Sequence, residues 1–85
     1  MYWNQGNYDE ALKNYFECLE IQQRIKGKGA IDCASTLNNI GSVYDDQGNY
    51  DEALKNYFEC LEIQQRIKGK ESTDYLSTLQ NIQIV

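Results

Sequence analysis

The side chains that could support catalysis are few, and the three cysteines are the strongest nucleophiles among them. Cys18, Cys33 and Cys60 would each need a neighbouring base or positive charge to form a reactive thiolate. The sequence has no histidine, which is the commonest catalytic base and the commonest metal ligand. No pair of cysteines has the spacing of metal ligands. We therefore predict that the chain is not an enzyme and that it uses no metal or other cofactor.

The positions of the cysteines favour packing over redox chemistry. Cys18 and Cys60 occur in identical surroundings, and a free cysteine packs as a small hydrophobic residue, so we interpret both as core residues. An odd number of cysteines leaves at least one unpaired, so a disulfide framework is not expected. The first residues lack the pattern of a secretion signal. These observations predict a cytoplasmic location.

Composition limits the partners that the chain can have. It has 85 residues, of which 41% are hydrophobic and 25% charged, as in an ordinary globular protein of one structural unit. No apolar run is long enough to cross a bilayer. The net charge of −5 repels phosphate backbones and anionic lipid surfaces. We expect a protein or peptide ligand, and neither nucleic acid nor a membrane.

An internal repeat organises the whole sequence. Residues 5–28 recur unchanged as residues 47–70, at a distance of 42 positions. Residues 29–43 and 71–85 also share an Asp, a Ser-Thr-Leu, an Asn-Ile and a final Val in register. A fixed period of this length is typical of a stacked solenoid. We predict a single unit of residues 1–85, made of a partial repeat (1–28), a complete repeat (29–70) and a second partial repeat (71–85).

Each repeat contains two amphipathic helices. Apolar residues at spacings of three and four predict a B helix in the identical block, with the core positions Tyr50, Ala53, Leu54, Tyr57 and Leu61. A shorter A helix precedes it, with the positions Ala34, Leu37, Ile40, Gly41 and Tyr44. The sequence Gln-Gly-Asn at residues 47–49 ends the A helix. The prediction is an all-α fold of four antiparallel helices in the order B, A, B, A.

The order and spacing of these residues resemble the tetratricopeptide repeat family. The positions that carry the resemblance are Leu37, Ile40, Gly41, Tyr44, Gly48, Tyr50, Ala53, Tyr57 and Cys60. The usual repeat has about 34 residues, and the longer period here is similar to that of kinesin light chains. The resemblance implies a right-handed superhelix whose A helices line a concave groove that binds a peptide, so the expected function is a non-enzymatic scaffold.

The resemblance also assigns the candidate binding residues. Its variable groove positions correspond to Ser35, Asn38, Ser42, Asp45, Asp46, Ser77 and Gln80, with Asn39 and Asn81 beside them. An asparagine side chain both donates and accepts hydrogen bonds, so Asn38 and Asn39 suit the main chain of a peptide. The alternative is that these asparagines bond to their own helices or lie in water.

The charges in the predicted A helices limit which peptide ligands are expected. Residues 30–47 and 72–85 contain no basic residue, which excludes the clamp that other members of the family use for a terminal carboxylate. Asp45 and Asp46 would favour a basic peptide at the groove edge. The interpretation that we favour for these two residues is stabilisation of the dipole of the following B helix.

The register of the repeat suggests a second function. Met1 and Val85 both correspond to Val43, so each end of the sequence falls inside an A helix. We expect exposed apolar surface there and, as the alternative function, head-to-tail self-assembly into a homo-oligomer. The residues expected to take part are Trp3, Ile82, Ile84 and Val85. The alternative for Trp3 is that its presence at this position has no functional role. Gln83 stands at the position of Gly41 and disfavours head-to-tail stacking, so a symmetric dimer through the same apolar end is kept as an alternative.

Overall fold

Four α-helices form the part of the chain that the computed structural model describes, which is the backbone of residues 5–84 and the side chains of residues 7–83. They are α1 (Gln5–Lys26), α2 (Ile31–Asp46), α3 (Tyr50–Lys68) and α4 (Thr73–Ile84). This part of the chain contains no strand, so the predicted all-α fold with helices in the order B, A, B, A is confirmed. None of the described helices is both long and apolar enough to cross a membrane.

Short connections that contain a glycine join the helices. The φ angle is 96° at Gly27, 81° at Gly48 and 89° at Gly69. This left-handed region is unfavourable for residues that have a Cβ atom, so the glycines allow α1, α2 and α3 to end where they do. After α2, the N–H of Asn49 donates to the carbonyl oxygen of Tyr44 over 2.8 Å and closes the turn. Connections of this length place successive helices side by side in antiparallel orientation.

One stretch of the repeated sequence takes two conformations. Residues 47–49 form the turn between α2 and α3, whereas the identical residues 5–7 belong to α1. As a result α1 has 22 residues and α3 has 19. The turn at 47–49 is held by hydrogen bonds to carbonyl groups at the end of α2. The local sequence therefore permits both states, and the helix that precedes it selects the turn.

The core lies between α2 and α3. Its cluster of buried residues consists of Cys33, Ala34, Leu37, Cys60 and Ile63. Each of them is at most 5% exposed, and Leu19 of α1 packs against the cluster from the other side. Burial of a side chain the size of leucine or isoleucine stabilises a fold by about 1.5–3 kcal/mol. The pair formed by α2 and α3 is thus the best-packed part of the molecule.

A glycine permits the close approach of α2 and α3. Gly41 is buried, and a Cβ atom built on it would lie 2.7 Å from the ring of Tyr57. Tyr57 is only 2% exposed, and its hydroxyl group lies 3.2 Å from the Ser42 hydroxyl, within hydrogen-bonding distance. Burial raises the pKa of the Tyr57 phenol, while the hydrogen bond to Ser42 opposes that shift. The ring is therefore buried where it packs on the main chain of Gly41.

Polar contacts repeat at the two interfaces that join one helix pair to the next. The Thr36 hydroxyl of α2 donates to Gln22 Oε1 of α1 over 2.8 Å. The Thr78 hydroxyl of α4 lies the same 2.8 Å from Gln64 Oε1 of α3. A buried polar group without a partner would cost about 1–3 kcal/mol, and every buried side-chain nitrogen and oxygen in the described residues has one. These pairs hold each A helix in a fixed register on the preceding B helix.

The substitution Gly41→Ala tests the close approach of α2 and α3. Alanine is the better helix former, yet we expect Gly41→Ala to lower the free energy of unfolding by about 1–3 kcal/mol, because its methyl group overlaps the Tyr57 ring. Urea denaturation followed by circular dichroism measures this change. The matched control is Gly29→Ala, whose methyl group would meet only the mobile end of Arg66 at 3.1 Å and should change stability by less than about 0.5 kcal/mol.

The equivalent cysteines of the two copies differ in exposure. Cys60 is buried in the core as expected, but Cys18 is exposed, so the interpretation of Cys18 as a core residue is wrong. Cys18 lies on α1, where no A helix of the described residues covers the position that α2 covers on α3. Burial raises the pKa of the Cys33 thiol and of the Cys60 thiol, and the hydrogen bond to Thr78 opposes the shift at Cys60.

Thiol labelling distinguishes these environments. At pH 8 we expect Ellman's reagent to modify Cys18 at least about tenfold faster than Cys33 and Cys60, because the buried thiols are both inaccessible and less ionised. The Cys18→Ser variant should lose the fast phase alone. Equal rates for all three thiols in the native chain would contradict the structure, whereas equal rates in denaturant are expected.

Candidate binding groove

A groove lies between the two A helices, α2 and α4, with part of α3 at its base. Its volume is about 390 Å³, large enough for several residues of an extended peptide but open to solvent. The residues that line it are Ile31, Asp32, Ala34, Ser35, Asn38, Asn39, Gln64, Lys68, Asp74, Ser77 and Thr78. Most of these side chains carry hydroxyl, amide or charged groups, so the groove offers hydrogen-bonding groups more than apolar surface.

A pair of asparagines connects the two walls of the groove. Asn81 Nδ2 of α4 donates to Asn38 Oδ1 of α2 over 3.1 Å. An amide group has two donor hydrogens and two acceptor lone pairs, so this bond leaves the Nδ2 group of Asn38 and the Oδ1 atom of Asn81 able to bind a ligand. Both side chains are half-buried. The bond also orients the Asn38 amide before any ligand arrives.

Three further predicted residues lie in the same groove. Ser35 and Asn39 are exposed on α2, and Ser77 is exposed on α4 at the position equivalent to Ser35. Their free hydroxyl and amide groups stand on both sides of the space that an extended chain would occupy. The structure therefore brings together Ser35, Asn38, Asn39 and Ser77, with Asn81 at the edge.

The remaining predicted positions lie elsewhere. Ser42 is within hydrogen-bonding distance of the Tyr57 hydroxyl, on the side of α2 that faces α3. Asp45 and Asp46 lie in the last turn of α2, where the main chain of Asp46 accepts a hydrogen bond from the Tyr8 hydroxyl at 3.4 Å. Gln80 lines a separate shallow depression of about 310 Å³ on the outer side of α4. These four residues do not line the groove between α2 and α4.

Charged residues at one end of the groove were not among the predicted site residues. Lys68 Nζ of α3 lies 2.8 Å from Asp74 Oδ2 of α4, and Lys26 makes the same 2.8 Å contact with Asp32. The hydrogen bond from Lys26 to Asp32 raises the pKa of the lysine. The sequence contains the signal for both ion pairs, because a lysine and an aspartate recur six residues apart in each copy.

The ion pairs set the charge of the groove. Lys68 is the basic residue among those that line it, and Asp74 already neutralises its charge. Asp74 is also in the first turn of α4, where the helix dipole favours a negative charge. The groove thus has no unpaired cation for the carboxylate of a ligand. Within the part of the chain that the structure describes, no group of three acidic, cysteine or histidine side chains is arranged to hold a metal ion.

The residues predicted for self-association are only partly described. Ile82 is half-buried on α4, while Trp3, Val85 and the side chain of Ile84 lie outside the described residues. Apolar side chains that the prediction did not include are exposed on three helices: Phe16, Ile21 and Ile25 on α1, Tyr50, Phe58 and Ile67 on α3, and Leu76 on α4. Phe16 and Ile25 are exposed like their counterparts Phe58 and Ile67 in α3, whereas Ile21 is exposed although its counterpart Ile63 is buried.

Comparison with known proteins identifies the repeat. A family model described as tetratricopeptide repeat matches residues 1–57 and again residues 32–82. The two matches together cover α1, α2 and α3 and reach residue 82 of α4. A search of curated proteins returned no match to the sequence.

Proposed function

The chain belongs to the tetratricopeptide repeat family, and on that premise we propose that it is a non-enzymatic scaffold that binds a peptide segment in the groove between α2 and α4. Proteins of this family typically mediate protein–protein interaction. The observation that carries the proposal is the group of hydroxyl and amide side chains, Ser35, Asn38, Asn39 and Ser77, that faces a common space.

An extended peptide suits the groove because each of its residues presents one N–H donor and one carbonyl acceptor. Asn39 can bind both kinds of group, and Asn38 has a free donor after its bond to Asn81. Side chains such as these contribute about 0.5–1.5 kcal/mol for each hydrogen bond. Binding would then be of moderate affinity and would depend little on the ligand's own side chains.

Charge limits the ligand to neutral or basic segments. The groove offers no unpaired cation, because Lys68 is neutralised by Asp74, and the whole chain has a net charge of −5. An acidic segment or a terminal carboxylate would lose its hydration without gaining a positive partner. The same charge argues against nucleic acid and anionic membranes as partners.

We also propose a subclass of the repeat and a cellular location. The period of 42 residues supports the long-repeat subclass that resembles kinesin light chains. The three free cysteines support a reducing compartment, and we propose the cytoplasm.

The groove can be tested with peptides that bind the chain, selected from a displayed random library. We expect Asn38→Ala combined with Asn39→Ala to weaken the selected peptides by about tenfold, because roughly two hydrogen bonds are lost. Isothermal titration calorimetry measures the dissociation constant, and circular dichroism checks that helicity is unchanged. Peptides that bind in the groove should also be neutral or basic.

Two control variants make this test specific. Gln80→Ala removes an exposed amide from α4 outside the groove and should leave the affinity unchanged. Asn81→Ala removes the internal bond to Asn38 and should cost less than the double variant. If the selected peptides bind the double variant as tightly as the wild-type chain but bind Gln80→Ala more weakly, the binding site lies on the outer side of α4 and not in the groove.

Self-association is the second candidate function. Ile21 of α1 is 47% exposed, whereas its identical counterpart Ile63 is 5% exposed, and Leu76 of α4 is 53% exposed. Unpaired apolar faces of this kind favour contacts between proteins. A second copy of the chain, which exposes the same residues, is the partner that we propose here.

Leu76→Glu tests this candidate without affecting the core. If copies associate through α4, sedimentation equilibrium of the wild-type chain should give a mass above 9.9 kDa, and the charged variant should return it to that of one chain. The matched control is Ser77→Glu, which adds the same charge at an exposed position of α4 that lines the groove and not the face of Leu76. Identical masses for all three proteins would rule out association through this face.

A further inference from the structure

The face of α4 that is equivalent to the α3-binding face of α2 is exposed to solvent. In α2 this face includes Ala34, Leu37 and Gly41, which are buried in the contact with α3. The positions 42 residues later are Leu76, Leu79 and Gln83. These three residues line the depression on the outer side of α4 together with Gln80. By the logic of the repeat, a B helix should pack there.

At two of these positions α4 has a larger residue than α2, which opposes such packing. Where α2 has Ala34 and Gly41, α4 has Leu76 and Gln83. Ala34 is 1% exposed within the core, so the larger leucine would overfill the equivalent space. Gln83 has the Cβ atom that Gly41 lacks, and at the α2–α3 contact a Cβ atom would lie 2.7 Å from a tyrosine ring.

The tyrosine that meets Gly41 is buried in the contact between α2 and α3. Tyr57 is 2% exposed and lies within hydrogen-bonding distance of Ser42, and its counterpart in α1 is Tyr15. Residue 84 is isoleucine where residue 42 is serine, and isoleucine has no hydroxyl group to offer. A Tyr15 packed against α4 in the same register would therefore meet the Gln83 side chain and would lack the serine hydroxyl that Tyr57 has in Ser42.

We infer that α4 blocks the stacking of this repeat on itself. Its outer face excludes any helix that carries the shared sequence of α1 and α3, so copies of the chain do not add head to tail in the register in which α2 holds α3. The helix that fits this face has a small residue, instead of tyrosine, opposite Gln83. The inference does not depend on the groove, and it limits self-association to closed contacts such as a symmetric pair.

Restoring the residues of α2 tests the inference. The variant with Leu76→Ala, Gln83→Gly and Ile84→Ser should stack, because α4 then matches α2 at all three positions. By light scattering after size exclusion, from about 1 µM to about 1 mM, we expect its mass to rise to at least about three chains. The wild-type chain should not exceed two copies over that range.

A control variant isolates the effect of the Cβ atom. A triple variant with Leu76→Ala, Gln83→Ala and Ile84→Ser keeps a Cβ atom at the critical position and should not exceed the wild-type mass. Circular dichroism verifies that α4 stays helical in both variants. An open-ended rise in mass for the wild-type chain would overturn the inference. A glycine variant with native helicity that never exceeds the wild-type mass would overturn it as well.

Discussion

The contact between Gly41 and Tyr57 is the constraint on which the rest of the structure depends. Because Gly41 has no side chain, α2 comes close enough to α3 for the tyrosine ring to occupy the space where a Cβ atom would be. The ring is buried and its hydroxyl lies against Ser42, which sets both the distance and the rotation of the two helices. That rotation turns Cys33, Ala34 and Leu37 into the core and leaves Ser35, Asn38 and Asn39 on the side of the groove.

The groove exists because a second set of contacts repeats this arrangement along the chain. Thr36 on Gln22 and Thr78 on Gln64 place α2 and α4 in the same register on the B helices before them. Two A helices held in this way lie side by side, and the bond from Asn81 to Asn38 joins their exposed faces. The binding surface is therefore a consequence of stacking and not of any single helix.

The groove was partly predictable from sequence. The resemblance to a known family pointed to Ser35, Asn38, Asn39 and Ser77, which the structure brings into one groove. It also pointed to Ser42, which lies against Tyr57 of α3, and to Gln80, which lines the outer side of α4, because a family register assigns positions along a helix and does not specify what packs against each side chain. Lys68 and Asp74 were missed, although the same six-residue spacing recurs at Lys26 and Asp32, because charge was considered only within the predicted A helices and Lys68 precedes the last of them.

The amino-acid sequence by itself determined the four helices, the glycine turns that end three of them, and the repeat that stacks them, since spacing and backbone preference are local properties. The tertiary structure alone decided burial, because two identical segments have different fates. Ile63 is 5% exposed and Ile21 is 47% exposed; Cys60 is buried and Cys18 is exposed. The physical reason is that α3 has helices on both sides, whereas α1 has a described neighbour on one side only, and the hydrophobic effect acts on a surface only when another surface covers it.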